Sequence, residues 1–140
     1  MDIQIYNTLT RKKEKFVPLR EGRIGIYVCG ITSYDYCHAG HARAYVTFDT
    51  LRRAFEHFDY DVLYIQNFTD VDDKIIDRAA QRGADPAELA ARFIKEYFRD
   101  MDALNVRRAS FYPRVTRHIP EIVDAARSLV EKGHAYHAGG

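Results

Sequence analysis

Two strand-like runs separated by one helical period, all within about forty-five residues, constrain what this chain can fold into more than any other feature. Residues 23–29 carry the apolar run from Ile24 to Val28 behind a turn signal at Glu21 and Gly22, and read as a buried strand. From about residue 40 to residue 58, Tyr45, Phe48, Leu51, Phe55 and Phe58 recur at the spacing of a helix with one buried face. Residues 60–67, from Tyr60 to Asn67, form the second strand. Strand, helix and strand in that order make a βαβ unit, whose crossover is right-handed and whose strands are parallel. Such α/β sheets take ligands at the C-terminal ends of their strands, and this selects two stretches, residues 29–41 and 67–73.

Side chains able to do chemistry are densest at both. Residues 27–41 hold Cys29, Cys37, His38, His41, Gly30 and Gly40. A strand, a glycine-containing loop and then a helix start form the geometry in which backbone N–H groups and the positive end of a helix receive a phosphate. His38 and His41, three apart, share one face, and Gly40 lets a ligand approach the backbone. Imidazole N–H groups there would stabilise charge growing on a phosphate in transfer; the structural alternative is one histidine capping the helix and the other solvated. Cys29, ending a central strand, is either a soft zinc ligand or a small packing residue. Cys37 either packs or completes a closed site with Cys29, His38 and His41, whose spacing differs from common zinc patterns.

At the second strand's mouth, Asn67 and Thr69 are placed for ligand contact. Asp70, Asp72 and Asp73 would hold a substrate ammonium or a magnesium ion, or else cap and complement the following helix. That helix covers residues 72–82 and stops at Gly83. Asp85 and Pro86 open a third, with Leu89, Phe93, Tyr97, Met101 and Leu104 on one face. Residues 107–116, with Pro113, read as a loop, and Arg107, Arg108, Arg114 and Arg117 are either contacts to a nucleic-acid backbone or solvated surface. A last helix over residues 120–132 is expected to bury Ile122, Val123, Ala126, Leu129 and Val130 and to stop at Gly133, leaving residues 134–140 as an interrupted strand. Ahead of the βαβ unit, Ile3, Ile5 and the segment 15–19 predict a small antiparallel pair over residues 2–19.

Composition matters for what it excludes. A net charge of +1 is too small for an autonomous nucleic-acid binder, so any RNA contact is local. With 46% hydrophobic and 29% charged residues the chain is globular, and its 140 residues suffice for one core without disulfides. No apolar run reaches the length of a membrane span and the N-terminus lacks a signal pattern, so a cytoplasmic protein is expected. In that compartment the two cysteines suit metal or substrate chemistry better than a disulfide.

The segment YVCGITSYDYCHAGHAR over residues 27–43 resembles the strand and HIGH-motif segment of the cysteinyl-tRNA synthetases, a family of class I aminoacyl-tRNA synthetases. NFTDVDDKI over residues 67–75 is similar to the family's second-strand motif, and HIPEI over 118–122 with KGHAY over 132–136 continues the likeness across the chain. The resemblance implies a Rossmann-like nucleotide-binding domain of parallel sheet and flanking helices. Residues 1–140 would be the N-terminal portion of that catalytic domain, and residues after about 115 would lead into the region inserted between its halves.

It further implies ATP-dependent activation of L-cysteine to cysteinyl adenylate and transfer to tRNA(Cys). His38 and His41 are then catalytic. Gly30, Ile31, Thr32, His38, Gly40, His41, Asn67 and Thr69 line the ATP and adenylate pocket. Cys29, as a ligand of one zinc ion, and Thr69 receive the substrate cysteine, and Mg2+ accompanies ATP. Zinc would answer a hard selection problem, since serine differs from cysteine by one atom and an apolar pocket rejects it weakly. The parent enzyme is expected to be monomeric. Ala39 stands where the motif name has isoleucine, and Ala44 where similar proteins often carry threonine. The family's other zinc ligands, its KMSKS-type loop and its anticodon-binding helices have no counterpart in these residues, and Cys29 alone cannot hold zinc tightly. A chain incomplete for catalysis is therefore expected. Two alternatives share the motifs: a cysteine ligase of mycothiol synthesis, and a non-catalytic nucleotide-binding homologue.

Overall fold

The computed structural model describes residues 3–139; the ends of the predicted hairpin at Asp2 and of the predicted last strand at Gly140 lie outside them. Strands β1 (Gln4–Asn7) and β2 (Lys12–Lys15) pair antiparallel as the alternation predicts, Gln4 opposite Lys15. Strand β3 (Arg23–Val28), helix α1 (Ala39–His57) and strand β4 (Asp61–Gln66) follow. β3 and β4 are parallel, from Arg23 opposite Asp61 to Val28 opposite Gln66, so the βαβ reading holds. Because side chains alternate across a strand, Ile24, Val28, Val62, Tyr64 and Gln66 are buried on one face while Tyr27 and Leu63 stay exposed on the other.

Helices cover the buried face. Phe55 of α1 packs with Ile24 and Val62, and Tyr45 of α1 joins Val28, Tyr64 and Phe68. Helix α3 (Pro86–Ala103) adds Ile94, Tyr97 and Met101 to the same core. Its start is fixed by Asp85, whose carboxylate accepts from the N–H groups of Ala87 and Glu88, and by Pro86 in the first turn. Helix α2 (Asp73–Arg82) packs its Ile75 and Ala79 against Leu89, Ala90 and Phe93 of α3. Phe48 and Leu104, expected on buried faces, are exposed; Leu104 is the C-cap of α3, where the chain turns away at Asn105.

Residues 107–116 depart from the loop reading. The N–H of Ser110 donates to Tyr64 O (2.7 Å), that of Gln66 to Phe111 O (3.1 Å), and that of Phe68 to Pro113 O (2.8 Å), laying the segment beside β4 as a parallel third edge. Pro113 offers an acceptor but no donor, so the ladder breaks there and no continuous strand forms. Helix α1 pins this edge. The buried carboxylate of Asp49 accepts from Arg53 Nε (2.7 Å) and from the N–H of Arg107 (3.2 Å), and the guanidinium of Arg53 reaches Asn105 O (2.7 Å). Arg107 pairs with Glu56, and Arg108 pairs with Asp102 while lying 3.9 Å from the Phe98 ring centroid, so these two arginines serve the fold.

Helix α4 (Ile119–Glu131) contradicts its expectation: Ile122, Val123, Ala126, Leu129 and Val130 are all exposed. A helical period specifies which face is apolar but not which element covers it, and none of the described elements packs there. Residues 134–139 form no strand, for want of a neighbouring edge. Asp49→Ala should destabilise the chain by roughly 1–3 kcal/mol in urea unfolding, because it removes the buried acceptor shared by Arg53 Nε and the Arg107 N–H. Leu129→Gln, on the uncovered stripe of α4, should change stability by less than about 0.5 kcal/mol.

Candidate functional site

The pairing of β3 and β4 outlasts the regular strands. Beyond Val28 and Gln66, the N–H of Thr69 donates to Ile31 O and that of Ser33 to Thr69 O, each at 3.0 Å. Between the last regular pair and these bonds Gly30 lies so close to Asn67 that any β-carbon would overlap the Asn67 carbonyl oxygen, so only glycine fits. The Asn67 side chain closes the same gap: its Oδ1 accepts from the Gly30 N–H (2.7 Å) and from the Tyr27 hydroxyl (3.1 Å). Both lone pairs of that oxygen are thus used, and Nδ2 is left to face Thr69 Oγ1 at 3.4 Å.

Helix α1 starts on its histidines. His38 is the N-cap, and its Nδ1 accepts from the Gly40 N–H at 3.0 Å; the Nδ1 of His41 accepts from the His38 N–H at 3.3 Å. A β-carbon on residue 40 would come within 2.8 Å of His38 Cε1, so Gly40 keeps room for the capping ring. The two rings stack with centroids 3.9 Å apart. An Nδ1 that accepts carries no proton, which makes both imidazoles neutral with their hydrogen on Nε2. Burial, reinforced by the neighbouring His38, holds the His41 pKa below the ordinary histidine value. Capping and chemistry are therefore not rivals here, since the cap leaves an Nε2–H donor on each ring.

These elements enclose a cleft of ≈ 440 Å³ at the C-terminal strand ends. Gly30, Ile31 and Thr32 contribute from the end of β3, and His38 and His41 from α1. Tyr34, Asp35 and Tyr36 of the connecting loop and Lys74 and Arg78 of α2 complete it. Arg78 binds the Asp35 carboxylate at 2.6 Å, tying the loop to α2. A larger hollow of ≈ 670 Å³ opens at the opposite, N-terminal strand ends, around Val17, Leu19, Ile24 and Leu63. Its lining is mostly apolar and holds no histidine or cysteine, whereas the smaller cleft has both His38 and His41 on its wall.

The remaining candidates divide. Cys29 is exposed just beyond β3, and its carbonyl receives the Tyr45 hydroxyl at 3.4 Å. Cys37 packs half-buried against the core, where burial pushes its thiol up to about 11. Among the described residues no three His, Cys, Asp or Glu side chains gather to hold a metal, so the closed set of Cys29, Cys37, His38 and His41 is not formed. Tight zinc binding takes three or four ligands, and Cys29 by itself does not fit such a site. Asp70 accepts from the Thr116 N–H (3.0 Å) and hydroxyl (2.7 Å), and Asp72 caps α2 through the Lys74 N–H (2.9 Å), which are structural tasks. Tyr27, Asp35, Lys74 and Arg78 escaped the sequence reading. The four-residue spacing of Lys74 and Arg78 just after the second strand was the available signal for two of them.

NMR titration should find His41 protonating below the ordinary histidine range, and His38→Ala should move it part of the way back. The sign for stability follows: a depressed pKa gives stability that is present above the unfolded value and lost as pH falls through the folded one. A family model described as tRNA synthetases class I (C) catalytic domain matches residues 15–140. The cysteine-tRNA ligase of Heliobacterium modesticaldum is 59% identical over 140 residues, which are 100% of this chain and 29% of that protein. That of Thermococcus kodakarensis is 60% identical over 136 residues, 97% of this chain and 29% of the relative. For Pyrococcus furiosus the figures are 58% over 134 residues, 96% and 28%. The chain thus spans less than a third of the length of the curated relatives it matches. With β3, β4, the cleft loop and the start of α1 all inside the matched region, the chain belongs to the class I (C) tRNA synthetase catalytic-domain family.

Proposed function

We propose that this chain is part of a cysteine-tRNA ligase, which activates L-cysteine with ATP to cysteinyl adenylate and passes the cysteinyl group to tRNA(Cys). The observation that carries this reading is the neutral imidazole pair at the start of α1, both Nδ1 atoms engaged as acceptors, on the wall of the strand-end cleft. In activation, a carboxylate oxygen of cysteine attacks the α-phosphorus while the bond to the departing pyrophosphate breaks. Such a transfer asks for positioning and charge stabilisation rather than for a covalent partner. His38 and His41 supply Nε2–H donors to the phosphates, and the positive end of α1 adds to them.

Gly30, Ile31 and Thr32 lie along the nucleotide, with Gly40 giving close backbone approach. Asn67 and Thr69 offer polar groups to the adenylate and the amino acid. Mg2+ accompanies ATP. Cys29 would supply one donor to a zinc ion only together with donors that the described residues do not provide, and zinc held there would favour a thiolate over a serine hydroxyl. Residues after about 115 belong to the approach to an inserted region, a reading that the uncovered apolar stripe of α4 supports. The same assignment brings a cytoplasmic, monomeric parent enzyme; in the described residues no helix is long and apolar enough to cross a membrane. One observation favours a second reading, nucleotide binding without turnover: Cys29 has no companion donors among the described residues.

Cysteine-dependent exchange of labelled pyrophosphate into ATP, measured on the natural protein that carries these residues, separates the two. Ligase chemistry predicts exchange that requires cysteine, ignores serine and falls roughly 10²–10³-fold for His38→Ala or His41→Ala. Bound ATP with no exchange supports the second reading, and exchange indifferent to both histidines contradicts the first.

A further inference from the structure

The two cations that α2 brings to the cleft are not equivalent. Arg78 is neutralised by Asp35 at 2.6 Å. Among the described residues Lys74 makes no ion pair, although Asp70, Asp72, Asp73 and Asp77 lie within four positions of it in sequence. Asp70 is occupied by Thr116, and Asp72 accepts from the backbone N–H of Lys74 rather than from its ammonium. The ammonium lies instead over the Tyr34 ring, 5.7 Å from its centroid, and both residues line the cleft. The helix dipole offers no reason for a cation there either, because Lys74 sits in the first turn of α2, where that dipole repels positive charge. A lysine held by an aromatic face on a cleft wall and, among the described residues, in no ion pair has the marks of a group kept for a ligand.

That ligand is anionic. The cleft is of a size that takes small-molecule ligands, and the neutral imidazoles donate hydrogen bonds without cancelling charge. Arg78 is already compensated, so a polyphosphate entering the cleft meets its charge compensation at Lys74. Resting on the nucleotide reading above, we propose that Lys74 is a specificity-determining contact to the phosphate chain of ATP, aimed by Tyr34 and engaging the phosphates that leave as pyrophosphate. Discrimination of ATP from AMP would then reside partly on α2, outside the histidine motif of α1.

The test is calorimetric titration of the full 140-residue chain with ATP and with AMP, in the wild type, Lys74→Gln and Lys74→Arg, alongside thermal melting. Loss of a charged contact should weaken ATP binding roughly tenfold or more while AMP binding changes by less than about twofold. Lys74→Arg should recover part of the loss. The melting temperature of Lys74→Gln should stay level or rise, because an unfavourable dipole contact is removed; a merely structural lysine would move melting and both nucleotides together. Unchanged ATP affinity in Lys74→Gln, or equal loss for AMP, overturns the proposal and leaves the nucleotide reading standing. Weakened binding of single-stranded RNA with ATP unaffected also overturns it, in favour of an RNA contact. A wild-type chain that takes up no ATP at all overturns the nucleotide reading and this proposal with it.

Discussion

The close passage of Gly30 over the Asn67 backbone is the contact on which the rest of the site depends. It extends the parallel pairing of β3 and β4 past their last regular residues and brings the loop after one strand against the loop after the other. The Asn67 amide then locks the junction by accepting from both Gly30 and Tyr27. Without that approach, Thr32 and Thr69 would not meet, and the loop leading to His38 would start from a different place. The buried face of the same strands carries the core, so packing of Tyr45 and Tyr97 with Val28 and Phe68 holds the two strand ends in position from beneath.

Helix α1 solves a structural and a chemical problem with the same side chains. Its first turn leaves N–H groups without intrahelical partners, and His38 and His41 satisfy two such backbone groups through Nδ1. That choice of acceptor sets the tautomer, and the tautomer sets what the rings offer a ligand. Burial of His41 works the same way, because a protonated ring could no longer accept from His38. Histidine is an uncommon cap, and its use at this helix start is understandable when the far nitrogen has its own task.

Much of this was legible in the sequence because it is local or periodic. The βαβ unit follows from two apolar runs and one helical period, and the rule that α/β sheets take ligands at their C-terminal strand ends selects residues 29–41 and 67–73. What escaped was set by partners far along the chain. Residues 110–115 pair with β4 through backbone atoms, which leave no side-chain pattern, and Pro113 disguised them as a loop. The apolar stripe of α4 was read correctly as a face and wrongly as a buried one, because periodicity carries no information about what covers it. Sequence leaves Asp70 open between a ligand and a helix-start acid, and only the fold brings Thr116 onto it, just as Arg78 acquires its meaning only when the fold places Asp35 beside it.

Amide chemical-shift mapping of the isotopically labelled chain with ATP tests the central claim most directly, that the phosphate-binding surface is the junction of the strand ends with the start of α1. The account predicts the largest changes at Gly40, His41, Thr69 and residues 30–32. Changes centred instead on Leu19, Arg23 and Leu63, around the apolar hollow at the other end of the strands, would contradict it.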